Sequence, residues 1–151
     1  MASEGVPTTI LEPGDRQRWA ELWRGYLTFY ETELPDDVYE ATWARIMDPN
    51  GAIHALGVRD GAGRVVGITH YLTHAHAWSR ADACYLQDLF VDADFRGRGY
   101  ARALINGVAA AARDRACSRL YWLTQETNAT ARYLYDAVAQ YTGFIRYDFP
   151  L

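Results

Sequence analysis

The chain has 151 residues, half of them hydrophobic and 23% charged, which excludes a disordered segment and suits one domain over residues 1–151 with a full-sized core. A formal net charge of −4 leaves no basic surplus for nucleic acid and fits a cationic partner better. No apolar run approaches the ~18 residues of a membrane span, and the N-terminal Met-Ala-Ser-Glu-Gly-Val-Pro has neither the basic region nor the apolar core of a signal peptide.

Taken in order, Thr8 to Glu12 is β-prone and is closed by Pro13-Gly14. Trp19, Leu22, Trp23, Tyr26, Leu27 and Tyr30 then recur at helical spacing, with Asp15 as a plausible N-cap. A second helix begins after Pro35. Asp36 and Asp37 sit in its first turn, and Val38, Tyr39, Thr42, Trp43, Ile46 and Met47 form its inner face, up to the stop at Pro49-Asn50-Gly51. Ile53–Arg59 and Val65–Thr73 read as strands around the loop Asp60-Gly61-Ala62-Gly63. Ala83–Val91 is the third strand of an antiparallel meander. A helix starting at Ala101 carries Leu104, Ile105, Val108 and Ala112 on one stripe. Arg119–Thr124 is a buried, parallel strand, Asn128–Ala139 the last helix, and Phe144–Phe149 a final strand. The fold class is α/β: a mixed, mostly antiparallel central sheet with helices on both faces.

Between the third strand and the long helix lies Asp94-Phe95-Arg96-Gly97-Arg98-Gly99-Tyr100-Ala101-Arg102. A glycine turn at a helix start leaves main-chain N–H groups unpaired at the positive end of the macrodipole, where phosphate oxygens bind. Gly97 and Gly99 allow positive φ, and Arg96 and Arg98 add charge. The turn has neither the lysine of a P-loop nor the three glycines of a dinucleotide fold. It does match R-x-x-G-x-[GA], read as Arg96, Gly99 and Ala101. That pattern resembles the pyrophosphate-binding turn of the GNAT superfamily of acetyl-CoA-dependent N-acetyltransferases, and the order of elements resembles the GNAT fold from end to end. Within it, Tyr85-Leu86-Gln87-Asp88-Leu89-Phe90-Val91 and Asn128…Leu134-Tyr135 look most like the spermidine/spermine and the histone-and-polyamine acetyltransferases.

The resemblance implies acetyl-CoA as co-substrate, with its diphosphate on Arg96, Gly97, Arg98, Gly99, Tyr100, Ala101 and Arg102. It implies a pantetheine arm along a splayed strand edge at Leu89, Phe90 and Val91, by main-chain pairing as in strand addition. Asn128 would touch that arm, or simply cap the last helix. Tyr135, seven residues after Asn128, falls where the family's tyrosine protonates the leaving thiolate. Its alternative, like that of Tyr133, is a core tyrosine. Gln87 stands where the spermidine/spermine enzymes carry glutamate and cannot abstract a proton, so Gln87 would orient the amine or a water. Strand alternation points Asp88 to the opposite face unless a bulge intervenes. A water chain ending on Asp88, Glu126 or a tyrosine is the remaining route for the proton.

Acids at Glu31, Glu33, Asp36, Asp37 and Glu40 beside Tyr30 and Tyr39 would attract a cation. They would equally be ordinary surface acids. No metal is expected: His74-x-His76 lacks a third ligand, and a solvated hairpin explains His70, His74 and His76, with a histidine base as a minor alternative. Cys84 and Cys117 read as thiols in a reducing compartment. The sum is a cytoplasmic N-acetyltransferase acting on a small cationic amine or polyamine, without nucleic acid or membrane partners. It would be a homodimer joined through an apolar last strand. A protein-lysine acetyltransferase and a non-catalytic acetyl-CoA-binding module are the alternatives.

Overall fold

The computed structural model describes residues 5–151. Residues 1–4, on which the signal-peptide reading partly rests, lie outside it. A 3-10 turn over Pro13–Asp15 leads into α1 (Arg16–Phe29) and then α2 (Asp36–Met47), β1 (His54–Arg59), β2 (Val65–His74) and β3 (Ala83–Val91). A second 3-10 turn (Ala93–Phe95) precedes α3 (Tyr100–Asp114), β4 (Arg119–Tyr121) and α4 (Ala129–Val138). The strand order is β1-β2-β3-β4, with the first three antiparallel and β4 parallel to β3 across the α3 crossover. No helix among the described residues is long and apolar enough to cross a membrane.

Each helix packs by the stripe its sequence spells. Leu104, Ile105, Val108 and Ala112 of α3 are buried against one face of the sheet with Val58, Val66, Tyr71, Cys84, Leu86 and Val91. The other face meets α1 and α2, whose contribution is aromatic. Trp19 stacks on Trp23 with centroids 5.3 Å apart and lies 5.0 Å from Trp43, while Trp23 and Tyr39 meet edge-on at 4.9 Å. Gly25 lets α1 come down onto β3: a Cβ there would stand 2.7 Å from the Phe90 ring.

Four expectations change. The buried strand expected over Arg119–Thr124 is a strand only over Arg119–Tyr121, with Arg119 exposed and Leu120 and Tyr121 half-buried. Thr8–Glu12 is reduced to one bridge, in which Thr9 and Gly57 exchange main-chain hydrogen bonds of 2.8 Å. The flanking Pro7 and Pro13 have no N–H to extend the pairing. Asp15 does not cap α1 with its side chain. Its carboxylate accepts from the Arg59 guanidinium (3.0 and 2.7 Å) and the Glu12 N–H, and this pairing holds it below the usual carboxylate range. Phe144–Phe149 forms no strand. The segment lies exposed, with Tyr147 at 87% and Phe149 at 86%. A strand needs a neighbour for its main-chain groups, and residues 140–151 find none among the described residues.

Candidate active site

β3 carries the site, and its two ends differ. Over Ala83–Tyr85 it is paired on both sides, with β2 and with β4. After Tyr85, β4 diverges. From Leu86 to Val91 that edge has no strand neighbour among the described residues, so main-chain groups at Leu89 and Phe90 face an open margin. Val91 is partly committed, because its carbonyl accepts from Arg96 Nε at 3.1 Å.

The glycine turn follows directly. Gly97 (φ 74°) and Gly99 (φ 82°) are both left-handed, a conformation that any Cβ would strain. Gly99 occupies the N-cap of α3, and its carbonyl accepts from the Ala103 N–H. The N–H groups of Tyr100, Ala101 and Arg102 therefore stand free at the positive end of a 15-residue helix. Arg96 lies over the Phe90 ring and Arg98 over the Phe95 ring. Neither has a carboxylate partner among the described residues, since the nearby Asp92 is taken by Arg18 at 2.6 Å. Two guanidiniums that each give one hydrogen bond to a main-chain carbonyl and have no carboxylate partner, beside a free helix N-terminus and an open strand edge, suit an anionic, amide-bearing ligand such as coenzyme A.

A bulge decides which way Asp88 points. Tyr71 opposes Leu86 and His70 opposes Asp88, which leaves Gln87 as the extra, exposed residue. Plain alternation would put Asp88 beside Leu86 on the α3 face. The bulge turns it onto the α1 face, so the expectation of an opposite-facing Asp88 is corrected. His70 is corrected as well. It is not solvated but 2% exposed, with Nδ1 2.8 Å from Asp88 Oδ2 and Nε2 accepting from Trp19 Nε1 at 2.8 Å. With neither nitrogen open to a cleft, His70 is not a base that reaches substrate. His74 and His76 bond to the Tyr121 and Ser118 hydroxyls, and no group of three potential metal ligands occurs among the described residues.

Phenols gather beside Asp88. Burial, and then the negative charge of the nearby Asp88, raise the Tyr26 phenol well above its usual range. Tyr26 and Tyr30 have ring centroids 5.0 Å apart. Tyr135, on α4, packs beside the cluster of Leu86, Ile105 and Val108. Burial first, and then Tyr30, push it up to about 12, so it carries its proton at working pH. Its ring meets Trp122 edge-on at 5.4 Å, whereas Tyr133 is exposed. Of the two tyrosines, only Tyr135 turns inward. Asn128 accepts from the Ala131 N–H and donates to Thr124 Oγ1, so its side chain is occupied as a helix cap.

Thus Tyr26 stands by Asp88, Tyr30 by Tyr26, and Tyr30 acts in turn on Tyr135, while Gln87 is exposed on β3 and the glycine turn follows the end of that strand. Tyr26 and Trp19 are absent from the sequence reading of the site, and His70 enters it only as a minor alternative base. Their helical spacing on α1 and parity on β2 are ordinary, and their partnership depends on the bulge.

A meander, a strand opening before a glycine turn, and a crossover helix that begins with free N–H groups define an acetyl-CoA-dependent N-acetyltransferase architecture. Residues 17–139 match the model of the acetyltransferase (GNAT) family, and the chain belongs to that family. It is an acetyl-CoA-dependent N-acetyltransferase of GNAT type. It is similar to the D-amino-acid N-acetyltransferase HPA3 of Saccharomyces cerevisiae, with 32% identity over 148 residues, 97% of this chain and 92% of that protein. Among solved structures, the ribosomal-protein-alanine N-acetyltransferase of Brucella melitensis biovar Abortus has a TM-score of 0.75 at 26% identity, with 95% of this chain and 98% of that one covered. The aminoglycoside N-acetyltransferase AAC(6')-Iy, solved with CoA, has a TM-score of 0.81 at 18% identity over 99% of both chains, a likeness of fold.

Proposed function

We propose that the enzyme acetylates the primary amine of a small molecule by direct attack on acetyl-CoA, with Asp88 receiving the amine and Tyr135 serving the leaving sulfur. The observation that carries this reading is the bulge at Gln87, which puts a carboxylate on the α1 face beside the open end of β3. In this reading Leu89, Phe90 and Val91 offer main chain to the pantetheine arm, and the turn from Arg96 to Arg102 holds the diphosphate. The Asp88 carboxylate draws in an ammonium and accepts one proton from it, and the neutral amine becomes the nucleophile. The Tyr135 hydroxyl supplies the proton for the departing sulfur as the C–S bond breaks, and the second proton, which the nitrogen loses on forming the amide, restores that hydroxyl. Gln87 and Tyr30 border the amine.

Free amino acids, D before L, are the first substrates to test, because the yeast relative acts on D-amino acids. Polyamines come second. The acids that favour them, Glu31, Glu33 and Asp36, border an outer groove with Arg24, Thr28 and Tyr39, and that groove's lining does not include Asp88 or Tyr26. A thiol-release assay across D- and L-amino acids, polyamines, lysine peptides and aminoglycosides is the test. Turnover of lysine peptides alone would overturn the small-amine reading.

We also infer a homodimer through residues 141–151. Tyr141, Phe144, Ile145, Tyr147, Phe149 and Leu151 are all exposed, a longer apolar edge than a monomer keeps bare. A single monomeric species in ultracentrifugation across micromolar concentrations would count against it.

A further inference from the structure

Asp88 ends a hydrogen-bonded chain that runs inward through the sheet to α1, and each link has a fixed direction. The indole Nε1–H of Trp19 can only donate, so His70 Nε2 is its acceptor and carries no hydrogen. A neutral imidazole has one N–H, which then sits on Nδ1 and donates to Asp88 Oδ2 over 2.8 Å. Trp19 is completely buried and His70 nearly so, and Trp23 meets the His70 ring edge-on at 5.5 Å. The imidazole therefore cannot rotate away or flip. Asp88 itself is 12% exposed at its side chain, and its ion-pair contact among the described residues is with His70 alone. Its carboxylate accepts from His70, and no arginine pairs with it among the described residues. The chain contains no lysine at all. A carboxylate held by a neutral donor in a part-buried place still lacks a countercharge, and a substrate ammonium would supply one.

We propose that His70 is a positioning residue for acetyl transfer: locked by Trp19 and Asp88 as the Nδ1–H tautomer, it holds Asp88 with one oxygen anchored and the other presented to the amine, and it takes no proton itself. The inference rests on the role given to Asp88 under the proposed function. Accepting a proton at Nε2 would force His70 to confront the Trp19 N–H donor-to-donor, so the proton removed from the amine stays on Asp88 until water or the next group takes it. His70 thus shapes affinity for the amine and its deprotonation, and leaves acetyl-CoA binding alone. Besides Asp88, the titratable groups related to this chain are Tyr26 and Tyr30 on α1, Tyr39 on α2, Tyr85 on β3 and Arg146 of the C-terminal segment. With no lysine present, an alkaline limb in the rate profile cannot come from one.

The test compares Asp88→Asn, His70→Ala, His70→Asn and Trp19→Phe in kcat/KM for the amine, in acetyl-CoA affinity by calorimetry, and in pH profile. Asparagine puts an amide N–H near the place of Nδ1, so it keeps the donor to Asp88 while losing the acceptor for Trp19. His70→Ala should lose about 30-fold in kcat/KM for the amine, and His70→Asn should recover most of it, with acetyl-CoA affinity unchanged. His70→Ala should also move the acidic limb of the kcat/KM profile, and His70→Asn should return it. Combined with Asp88→Asn, His70→Ala should cost nothing more, because the group it serves is gone. Nitrogen-15 NMR of the folded wild type at neutral pH should show His70 protonated on Nδ1 only, a result that needs no variant to fold. In Trp19→Phe an aromatic ring stays but the N–H goes; the Asp88 carboxylate still accepts from Nδ1–H, so the tautomer should persist while Nε2 loses the donor that blocks it.

A wild-type Nε2–H tautomer overturns the proposal. So does equal activity loss in His70→Ala and His70→Asn with no movement of the pH limb, which is what a purely structural role gives. If Asp88→Asn retains full turnover, the proposed function's role for Asp88 fails. If Asp88→Asn is inactive while His70→Ala is fully active, only the inference about His70 fails.

Discussion

The two faces of the sheet are built from different material. On the α3 side, Ala103, Leu104, Ile105 and Val108 pack on Val58, Val66 and Leu86, an aliphatic layer whose work is to hold the glycine turn and helix start in place. On the α1 side, Trp19, Trp23, Tyr39 and Trp43 surround a polar chain of His70, Asp88 and Tyr26. Coenzyme A is the same for every member of such a family, and main-chain groups recognise it, so its side of the molecule needs only firm, generic packing. The amine differs from enzyme to enzyme, and side chains must recognise it. In the proposed function, the side chains that meet the amine are held by aromatic groups rather than by long charged ones. β3 belongs to both faces, and one inserted residue, Gln87, hands its polar side chain from one to the other.

This division can be broken from either side. On the amine side, Tyr135→Phe should lower kcat about 100-fold, because it removes a proton donor from the reacting centre. Acetyl-CoA affinity should change less than about threefold. Stopped-flow thiol release with calorimetry measures both, and an unchanged kcat would remove Tyr135 from the chemistry. On the cofactor side, Arg96→Ala should weaken acetyl-CoA about tenfold through one lost charge-assisted contact, with kcat at saturation nearly intact. A loss in KM for the amine instead would show that the two sides are not separable.

The smallest effect sharpens the seam between them. Arg18 of α1 bonds Asp92 at 2.6 Å and the Val65 carbonyl at 2.8 Å, tying the amine side to the residue just before the glycine turn. Arg18 and then the Asp94 N–H hold the Asp92 carboxyl below the usual range. Arg59 does the same for Asp15. Both folded-state values are depressed, so their contribution is complete above the unfolded-state value near 3.8 and is lost as pH falls through the folded ones. Asp92→Asn should cost about 1–3 kcal/mol at neutral pH. It should also flatten the acid limb of a denaturation series below about pH 4. An unaltered acid limb would mean that this pair does not hold the seam.

The resemblance on which the site was first read is local in sequence. Gly97 and Gly99 act through main-chain conformation and through the position of the helix that follows them. Both are properties of consecutive residues, and both are present in the structure. Tyr135 could be separated from Tyr133 only by the face that α4 presents, which its hydrophobic neighbours decide. Asp88 was legible as a candidate but not in direction. A single extra residue in a strand reverses every later side chain, and nothing in Leu86-Gln87-Asp88-Leu89 announces it. The C-terminal segment misled in the opposite way, since an apolar alternating stretch reads as a strand whether or not a neighbour exists to pair with it.

What the amino-acid order determined by itself was whatever depends on short range: the amphipathic stripes of α1, α2 and α3, the meander, the left-handed glycines, and the free N–H groups that follow them. What only the tertiary structure decided was the company each polar side chain keeps. Trp19, His70, Asp88 and Tyr26 come from α1, β2 and β3, and they meet because a bulge sets the register between two strands. Helix and turn propensities are summed over neighbours in sequence, whereas a buried hydrogen bond exists only when distant segments have already been packed to within its reach.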